Sequence, residues 1–167
     1  MKNATLCFIL TEDRRWILLG RKERGFGAGK YNGFGGKILP GETPRAAAAR
    51  EIAEESHVTV DPKGLRDAGN VTFWFPYQPS FDHYVHVFVT TKWHGEPRDS
   101  AEMTPRWFRV DDIPYEEMWA DDLHWIPLVL AGKSIEAAFT FDEDNESLSE
   151  WIIKEIDAPP GADEPVS

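Results

Sequence analysis

Cysteine is nearly absent from this sequence, since its 167 residues include only one, Cys7. A single cysteine excludes an intrachain disulfide and any zinc site that needs several cysteines. Chains that do without disulfides are typical of reducing compartments, so we expect an intracellular protein and assign it to the cytoplasm.

Long hydrophobic runs are absent as well. The apolar stretch at residues 4–10 is too short to span a bilayer, and the polar residues 11–15 follow it without a signal-peptide cleavage pattern. The sequence therefore predicts neither an export signal nor a membrane partner.

Positive charge is scarce. The chain has 18 Lys and Arg against 29 Asp and Glu, which gives a formal net charge of -11 at pH 7. A surface of this charge repels polyanions at long range and argues against a nucleic-acid partner. A small phosphate ligand would then need a metal ion and a few local cations. We expect such a small molecule as the partner, bound by a monomer.

The hydrophobic pattern predicts one α/β domain over residues 1–156, because this length can bury a single core and strands alternate with helices. Short turns between some strands favour a mixed sheet. The first helix is predicted to have Thr43 as its N-cap and Pro44 at its first position. Residues 157–167 lack apolar periodicity and are predicted to be a disordered tail. Strands are predicted at 4–10, 16–20, 65–75, 84–93, 107–110, 137–141 and 148–156, and helices at 44–56, 114–119 and 123–131.

Three carboxylates are expected on one face of the first helix. Glu51, Glu54 and Glu55 stand at positions i, i+3 and i+4, which lie within one turn of each other. No Lys or Arg follows any of them at i+4, so their repulsion favours a divalent cation, and oxygen ligands favour Mg²⁺ or Mn²⁺. A solvated acidic helix surface is the alternative, which these three residues alone do not exclude.

The residues that flank this face carry a family resemblance. The sequence Gly36-x5-Glu42-x7-Arg50-Glu51-Ile52-x-Glu54-Glu55-x-His57-Val58 resembles the Nudix box at every defined position except His57, where the family has glycine. The resemblance implies the Nudix fold, a mixed β-sheet sandwiched between helices, and Mg²⁺-dependent hydrolysis of a nucleoside diphosphate derivative. His57 falls at the predicted helix end, where a positive φ is common, and histidine tolerates this better than most residues.

The resemblance also implies roles for single residues. Arg50 would orient the glutamates by charge-assisted hydrogen bonds. The general base would be Glu54, Glu55 or Glu102, among which the sequence does not choose. For Glu102, which stands alone in a polar stretch, the alternative is an acid on a surface loop. The metal would be bound by the carbonyl of Gly35 and by Glu51, Glu54, Glu55 and Glu102.

Six glycines lie within the twelve residues 25–36. This density excludes a regular helix and indicates tight turns or a close approach of the backbone to another group. The run matches neither the P-loop nor the dinucleotide-binding pattern. We expect it to bring the backbone of Phe34, Gly35, Gly36 and Lys37 close to the substrate.

Outside the box, the chain resembles one Nudix subgroup, the oxidized purine nucleoside triphosphate hydrolases. The matching stretches cover most of residues 4–156 and include Arg24-Gly-Phe-Gly-Ala-Gly, Val85-His-Val-Phe and Met118-Trp-x-Asp-Asp. This resemblance implies hydrolysis of 8-oxo-dGTP, 2-hydroxy-dATP and related nucleotides to a monophosphate and pyrophosphate, which removes damaged precursors from the nucleotide pool. Residues 81–83 have no clear counterpart in the subgroup.

The subgroup resemblance also implies a base pocket. Adjacent acids in an apolar pocket should share protons unequally, so that one donates and the other accepts. On spacing alone, Asp122 could instead be the N-cap of the following helix, with Asp121 solvated. The base would be held by Asn32, Trp119, Asp121 and Asp122, in a pocket lined by Thr5, Lys22, Phe73 and Phe75.

Two further functions are compatible with the box. One is a Nudix hydrolase of ADP-ribose or of a capped RNA end, although the acidic chain lacks the basic surface that RNA favours. The other is a non-catalytic module that binds a modified base, which the presence of Arg50, Glu51, Glu54 and Glu55 together disfavours.

Overall fold

The computed structural model describes residues 1–157 and 161–166. Over these residues the chain forms one α/β domain of ten strands and two α-helices. The strands are β1 (Lys2–Leu10), β2 (Trp16–Lys22), β3 (Tyr31–Asn32), β4 (Thr59–Val60), β5 (Arg66–Trp74), β6 (His83–Thr90), β7 (Trp93–His94), β8 (Met103–Arg109), β9 (Ser134–Phe141) and β10 (Leu148–Ile156). The helices are α1 (Pro44–Ser56) and α2 (Asp122–Leu130).

Eight strands form one mixed sheet in the order β10-β9-β5-β6-β1-β2-β3, with β8 also paired to β2. The pairs β1–β6 and β5–β9 are parallel, whereas the other pairs of this sheet are antiparallel. Strands β4 and β7 form a separate two-stranded sheet. The predicted single α/β domain with a mixed sheet is confirmed.

Side chains of β1 alternate between two cores, because successive residues of a strand point to opposite faces of its sheet. Phe8 lies in the core that α2 covers with Trp125, and Cys7 lies in the core that α1 covers with Ile52. The two helices therefore sandwich the sheet, as the sequence predicted. In the part of the chain that the structure describes, no helix is both long and apolar enough to cross a membrane.

Helix α1 begins and ends where the sequence predicted. The Thr43 hydroxyl accepts a hydrogen bond from the Ala46 N–H at 3.0 Å, and Pro44 is the first helical residue. This cap satisfies an N–H group that has no partner inside the helix. At the other end His57 adopts φ 64° and ψ 12°, and its N–H donates to the Ala53 carbonyl. The helix thus ends on a left-handed residue although histidine replaces glycine.

Four predicted elements were wrong in extent, one of them being the strand predicted at 137–141, which begins at Ser134. The strand predicted at 84–93 ends at Thr90, because Thr90 Oγ1 accepts the Lys92 N–H at 3.0 Å and the chain turns there. The strand predicted at 107–110 begins earlier, since all of β8 pairs with β2. Residues 114–119 contain only a 3-10 turn at Tyr115–Glu117, after which Met118 returns to an extended backbone.

Part of the expected disordered tail contacts the domain. The Gly41 N–H donates to the Val166 carbonyl at 2.7 Å, and the Val166 N–H donates to the Glu42 carbonyl at 2.9 Å. Ala162 is buried beside them, 5% exposed. These hydrogen bonds join backbone groups, so they do not depend on the side chains of the tail. The pattern of apolar residues therefore does not predict them. Residues 158–160 and 167, also assigned to that tail, lie outside the described residues.

Candidate active site

One arginine stands at the centre of the acidic face of α1. Arg50 donates from Nε and Nη2 to the two Glu42 carboxylate oxygens, both at 2.8 Å. Its Nη1 donates to Glu51 at 2.9 Å and to Glu54 at 3.4 Å. The hydrogen bonds to Arg50 hold the pKa of Glu42 below its ordinary value. No Lys or Arg follows these glutamates at i+4, but Arg50, one turn before Glu54, provides a basic partner on this face.

The three glutamates of this face differ in burial. Glu54 is exposed, whereas Glu51 and Glu55 are half-buried, and Glu55 Oε1 accepts the Gly35 N–H at 2.9 Å. Burial raises the pKa of Glu55 to about 8, against the Gly35 hydrogen bond, and the negative charge of Glu51 adds to the rise. Burial also raises the pKa of Glu51 above its ordinary value, against its hydrogen bond with Arg50. A nearby cation would favour the ionised form of both side chains.

Glu102 lies just before β8, and its carboxylate pairs with Arg24 at an Oε1–Nη2 distance of 2.7 Å. This ion pair holds the pKa of Glu102 below its ordinary value. Across residues 1–157 and 161–166, no three His, Cys, Asp or Glu side chains converge closely enough to hold a metal ion. Arg50 and Arg24 occupy carboxylate oxygens that a cation would bind. The donor set itself, oxygen ligands around a partly buried carboxylate, fits the chemistry of Mg²⁺.

The glycine-rich run pairs with β1 beside this face. The Thr5 N–H donates to the Gly36 carbonyl at 2.9 Å, and Cys7 and Phe34 exchange two backbone hydrogen bonds. A Cβ atom at Gly35 would lie 1.9 Å from the Thr5 carbonyl oxygen, so the close pairing requires glycine at this position. The Gly35 carbonyl accepts no hydrogen bond from the residues described, which leaves it free for another ligand.

A cavity of about 180 Å³ joins Glu55 to side chains of the β5 and β6 strands and of the residues before α2. Two of the twelve residues assigned to the substrate do not line it. Phe34 is buried in the core under α1, and its backbone groups pair with Cys7, whereas Lys37 is exposed at the surface. The other ten line the cavity: Thr5, Lys22, Asn32, Gly35, Gly36, Phe73, Phe75, Trp119, Asp121 and Asp122.

Asp121 and Asp122 are buried side by side in the cavity wall, 1% and 2% exposed. The Trp125 indole N–H donates to Asp121 Oδ2 at 2.8 Å, while Asp121 Oδ1 and Asp122 Oδ2 have no partner within the described chain. Burial raises the pKa of Asp121 to about 6. Burial also raises the pKa of Asp122 well above its ordinary value, and the negative charge of Asp121 adds to this rise. The negative charge of an ionised Asp121 thus opposes ionisation of Asp122, as for two adjacent acids that share a proton.

Neither acid caps α2 through its side chain. Asp121 occupies the N-cap position without a capping hydrogen bond, and Asp122 is the first residue of the helix. The alternative role of Asp122 as a helix cap is therefore wrong. Since two of their buried oxygens lack protein partners, the pair is free to bind a polar ligand.

Aromatic side chains that the sequence did not assign to the site complete the cavity. Phe26, from the glycine-rich run, packs on Trp119 with 5.0 Å between ring centroids. Lys30 Nζ lies 5.2 Å from the centroid of the Trp119 ring. The unassigned ring-bearing residues of the lining are Phe26, His83, Trp125 and Phe141. They come from segments far apart in the chain, so only the subgroup match around Phe26 offered a signal.

Known proteins are similar to this chain in sequence and in fold. The chain is 42% identical over 154 residues to an oxidized purine nucleoside triphosphate hydrolase of Mus musculus, with 92% of this chain and 95% of the relative covered. It is 44% identical over 156 residues to a protein of the same name from Danio rerio, with 93% and 96% covered. The solved structure of a MutT protein from Bacillus halodurans superimposes on this chain with a TM-score of 0.78 at 23% sequence identity. The match covers 92% of this chain and 97% of that protein, so the two have the same fold. A family model described as the NUDIX domain matches residues 1–129. The chain therefore belongs to the Nudix family of hydrolases.

Proposed function

We propose that this protein hydrolyses oxidized purine nucleoside triphosphates, such as 8-oxo-dGTP and 2-hydroxy-dATP, to the monophosphate and pyrophosphate. Its product could not be incorporated into DNA, so the reaction cleans the nucleotide pool. The observation that carries this proposal is the single cavity whose lining includes Glu55 and the buried pair Asp121 and Asp122. In this proposal Glu55 serves the hydrolysis of the phosphate chain, and the aspartate pair recognises the base. The two vertebrate relatives, both oxidized purine nucleoside triphosphate hydrolases, support the same substrate class.

The metal in this proposal is Mg²⁺, with Mn²⁺ as a substitute. Support comes from the free Gly35 carbonyl and from Glu55, which the Gly35 N–H contacts at 2.9 Å. When bound, the metal supplies charge neutralisation on the polyphosphate and acidifies a water molecule. To bind the metal, the Glu102 carboxylate would have to break its ion pair with Arg24. The proposed ligands are the Gly35 carbonyl, Glu51, Glu54, Glu55 and Glu102.

The residues near the bound phosphates would neutralise charge and transfer protons. Lys22 lines the cavity, so its ammonium group can bind phosphate oxygens and the leaving pyrophosphate. Glu55 in its ionised form can accept the proton of the attacking water, with Glu54 and Glu102 as the alternatives. Water then forms a bond to phosphorus as the bond to the pyrophosphate oxygen breaks. Arg50 keeps Glu51 and Glu54 oriented but does not line the cavity.

The residues at the other end of the cavity would recognise the edges of an oxidized purine by hydrogen bonds. The Trp119 indole can stack on the base, and the Asn32 amide can both donate and accept. Ionised Asp121 accepts a hydrogen bond, and protonated Asp122 donates one. An oxidized guanine differs from guanine by an N–H at N7 and an oxygen at C8, so a donor and an acceptor side by side suit such an edge.

The test is a nucleotide panel with purified protein. Pyrophosphate release and kcat/KM are measured for 8-oxo-dGTP, 2-hydroxy-dATP, dGTP and dATP. AMP release is measured for ADP-ribose, and removal of the cap for a capped RNA. Each reaction is run with Mg²⁺, with Mn²⁺ and with EDTA. We expect the highest kcat/KM for the oxidized triphosphates and no turnover in EDTA. Turnover of ADP-ribose or capped RNA alone would replace the proposed substrate, and binding without turnover of any compound would indicate a non-catalytic module.

We further propose that the active protein is a cytoplasmic monomer with no nucleic-acid or membrane partner. Support comes from the cavity, since one chain supplies Glu55, Lys22 and the buried pair Asp121 and Asp122 to its lining. The net charge of -11 at pH 7 also disfavours binding to polyanions. Light scattering coupled to size-exclusion chromatography should give a mass near 19.0 kDa, and a doubled mass would contradict the monomer.

A further inference from the structure

His83 contributes an imidazole ring to the lining of the cavity, beside the phenyl rings of Phe73 and Phe75. It is the first residue of β6, where it pairs with Lys2 of β1 and Phe73 of β5. Its ring stacks on the Phe73 ring with 4.9 Å between centroids and an interplanar angle of 26°. It lies nearly parallel to the Phe75 ring, 6.3 Å away at 12°. Packing against these two phenyl rings restricts the orientation of the imidazole.

The hydrogen bonds of His83 define which ring nitrogen carries a proton. Nδ1 lies 2.7 Å from the Phe81 carbonyl oxygen. A carbonyl oxygen only accepts hydrogen bonds, so Nδ1 is the donor and bears the proton. Burial lowers the pKa of His83 below its ordinary value, against the Phe81 hydrogen bond, so the neutral ring predominates at neutral pH. In that tautomer Nε2 carries a lone pair and is an acceptor.

Nε2 is available to a ligand. In the part of the chain that the structure describes, the hydrogen bond of His83 to Phe81 is the one its ring makes. Since the His83 ring lines the cavity beside Phe73 and Phe75, its second nitrogen, Nε2, can offer an acceptor to a ligand there. An acceptor whose ring already packs against two other rings loses less side-chain entropy when it binds a donor.

We propose that His83 is a specificity-determining residue whose Nε2 accepts a hydrogen bond from an N–H donor of an oxidized guanine, either the 2-amino group or N7–H. This inference rests on the proposed function, because it concerns the base pocket of the same reaction. The acidic pair offers a donor and an acceptor from the residues before α2, whereas His83 offers a second acceptor from β6. The pocket thereby favours bases with N–H groups on two edges over bases with N–H groups on a single edge.

The experiment compares three proteins, wild type, His83→Phe and His83→Gln, on three triphosphates. His83→Phe keeps a stacking ring and removes the acceptor, whereas the Gln carboxamide can place an acceptor near the position of Nε2. The substrates 8-oxo-dGTP and 8-oxo-dITP differ in the 2-amino group, and 8-oxo-dGTP and dGTP differ in N7–H together with the C8 oxygen. The readout is the kcat/KM ratio within each pair, with thermal unfolding as the check on folding.

We expect His83→Phe to reduce one of these two ratios by about tenfold, the effect of losing one hydrogen bond to a group left unpaired, and His83→Gln to restore most of it. An equal loss on all three substrates, or ratios unchanged within twofold, would overturn the role of His83. If His83→Phe does not fold, His83→Met replaces it, because it also fills the space without a strong acceptor. Failure of wild type to hydrolyse any triphosphate would instead overturn the proposed function itself.

Discussion

The guanidinium group of Arg50 binds both carboxylate oxygens of Glu42, with Nε–Oε2 and Nη2–Oε1 distances of 2.8 Å. This bidentate pair leaves Nη1 to bind Glu51 at 2.9 Å. Glu42 therefore positions a glutamate of the proposed metal site without contacting the cavity. Its own backbone carbonyl accepts the Val166 N–H, so the segment before α1 is held on two sides.

Glu42→Gln should weaken the use of Mg²⁺ without removing a proposed ligand. The substitution removes the charge that binds Arg50 in two places, so Arg50 and Glu51 lose their fixed orientation. We expect kcat/KM to fall about 10- to 100-fold and the Mg²⁺ concentration for half-maximal rate to rise. A Mg²⁺ titration of the initial rate measures both quantities.

The matched control for Glu42→Gln is Asp111→Asn, which breaks the exposed pair between Arg109 and Asp111, 3.1 Å apart. Exposed ion pairs contribute little to stability, so this variant should behave as wild type. If Glu42→Gln gives the same titration curve as Asp111→Asn, Arg50 does not need Glu42 for its role.

Glu55→Gln should abolish turnover while the protein stays folded. Gln retains an oxygen for the Gly35 N–H but can neither accept a proton nor bring a charge to a metal, so we expect kcat to fall by about 10³-fold or more. In EDTA, where no metal is bound, the same substitution should stabilise the folded protein. The folded pKa of Glu55 is raised from 4.5 to about 8, so the ionised side chain lowers the stability of wild type as pH rises through this range.

Thermal unfolding in EDTA at pH 5 and pH 8 measures this second effect. Tm of Glu55→Gln minus that of wild type should be larger at pH 8 than at pH 5. The exposed Glu150→Gln serves as the control and should leave kcat unchanged. Turnover near the wild-type rate in Glu55→Gln would mean that another carboxylate holds the water and the metal.

His57→Gly should stabilise the end of α1. His57 adopts φ 64°, a conformation that glycine reaches without a Cβ penalty, although glycine also gains entropy in the unfolded chain. We expect the free energy of unfolding to rise by about 0.5–1 kcal/mol, as measured by urea denaturation, with kcat unchanged because the side chain is exposed outside the cavity. His57→Ala is the control and should not stabilise. A loss of activity in His57→Gly would assign His57 a role in the reaction.

Local signals account for what the sequence predicted well. The cap at Thr43, the proline after it and the spacing of Glu51, Glu54 and Glu55 are contained within one helix, so reading along the chain locates them. The left-handed end at His57 follows from the same local logic. The placement of Phe34 depends on a longer-range contact, because its pairing with Cys7 turns the Phe34 side chain into the core.

Contacts between distant segments account for what the sequence did not predict. Glu102 meets Arg24 from 78 positions away, and no local pattern indicates that ion pair. Phe26 and His83 meet in one cavity wall, with 6.5 Å between ring centroids, because the glycine-rich run and β6 are brought together by the fold. Periodicity describes which face of an element is buried, whereas these contacts depend on which elements become neighbours.

The two buried acids should respond differently to the same substitution. Asn at position 122 offers an N–H donor, as protonated Asp122 does, so Asp122→Asn should keep kcat/KM within a few-fold of wild type. Asn at position 121 replaces an ionised acceptor with a neutral one, so Asp121→Asn should change the ranking of oxidized over normal purine triphosphates. Its Mg²⁺ requirement should stay the same, because Asp121 is not a proposed metal ligand.

The pH dependence of stability tests the protonation state of this pair without any substrate. In the folded protein the pKa of Asp121 is raised to about 6 from 3.8, and that of Asp122 is also raised, so the folded state binds more protons than the unfolded state above pH 4. The free energy of unfolding must then fall as pH rises through this window. Asp122→Asn removes a buried acid, so its Tm advantage over wild type should grow from pH 4 to pH 7.5. An advantage that is constant across this range, together with an unchanged substrate ranking in Asp121→Asn, would show that the pair neither shares a proton nor reads the base.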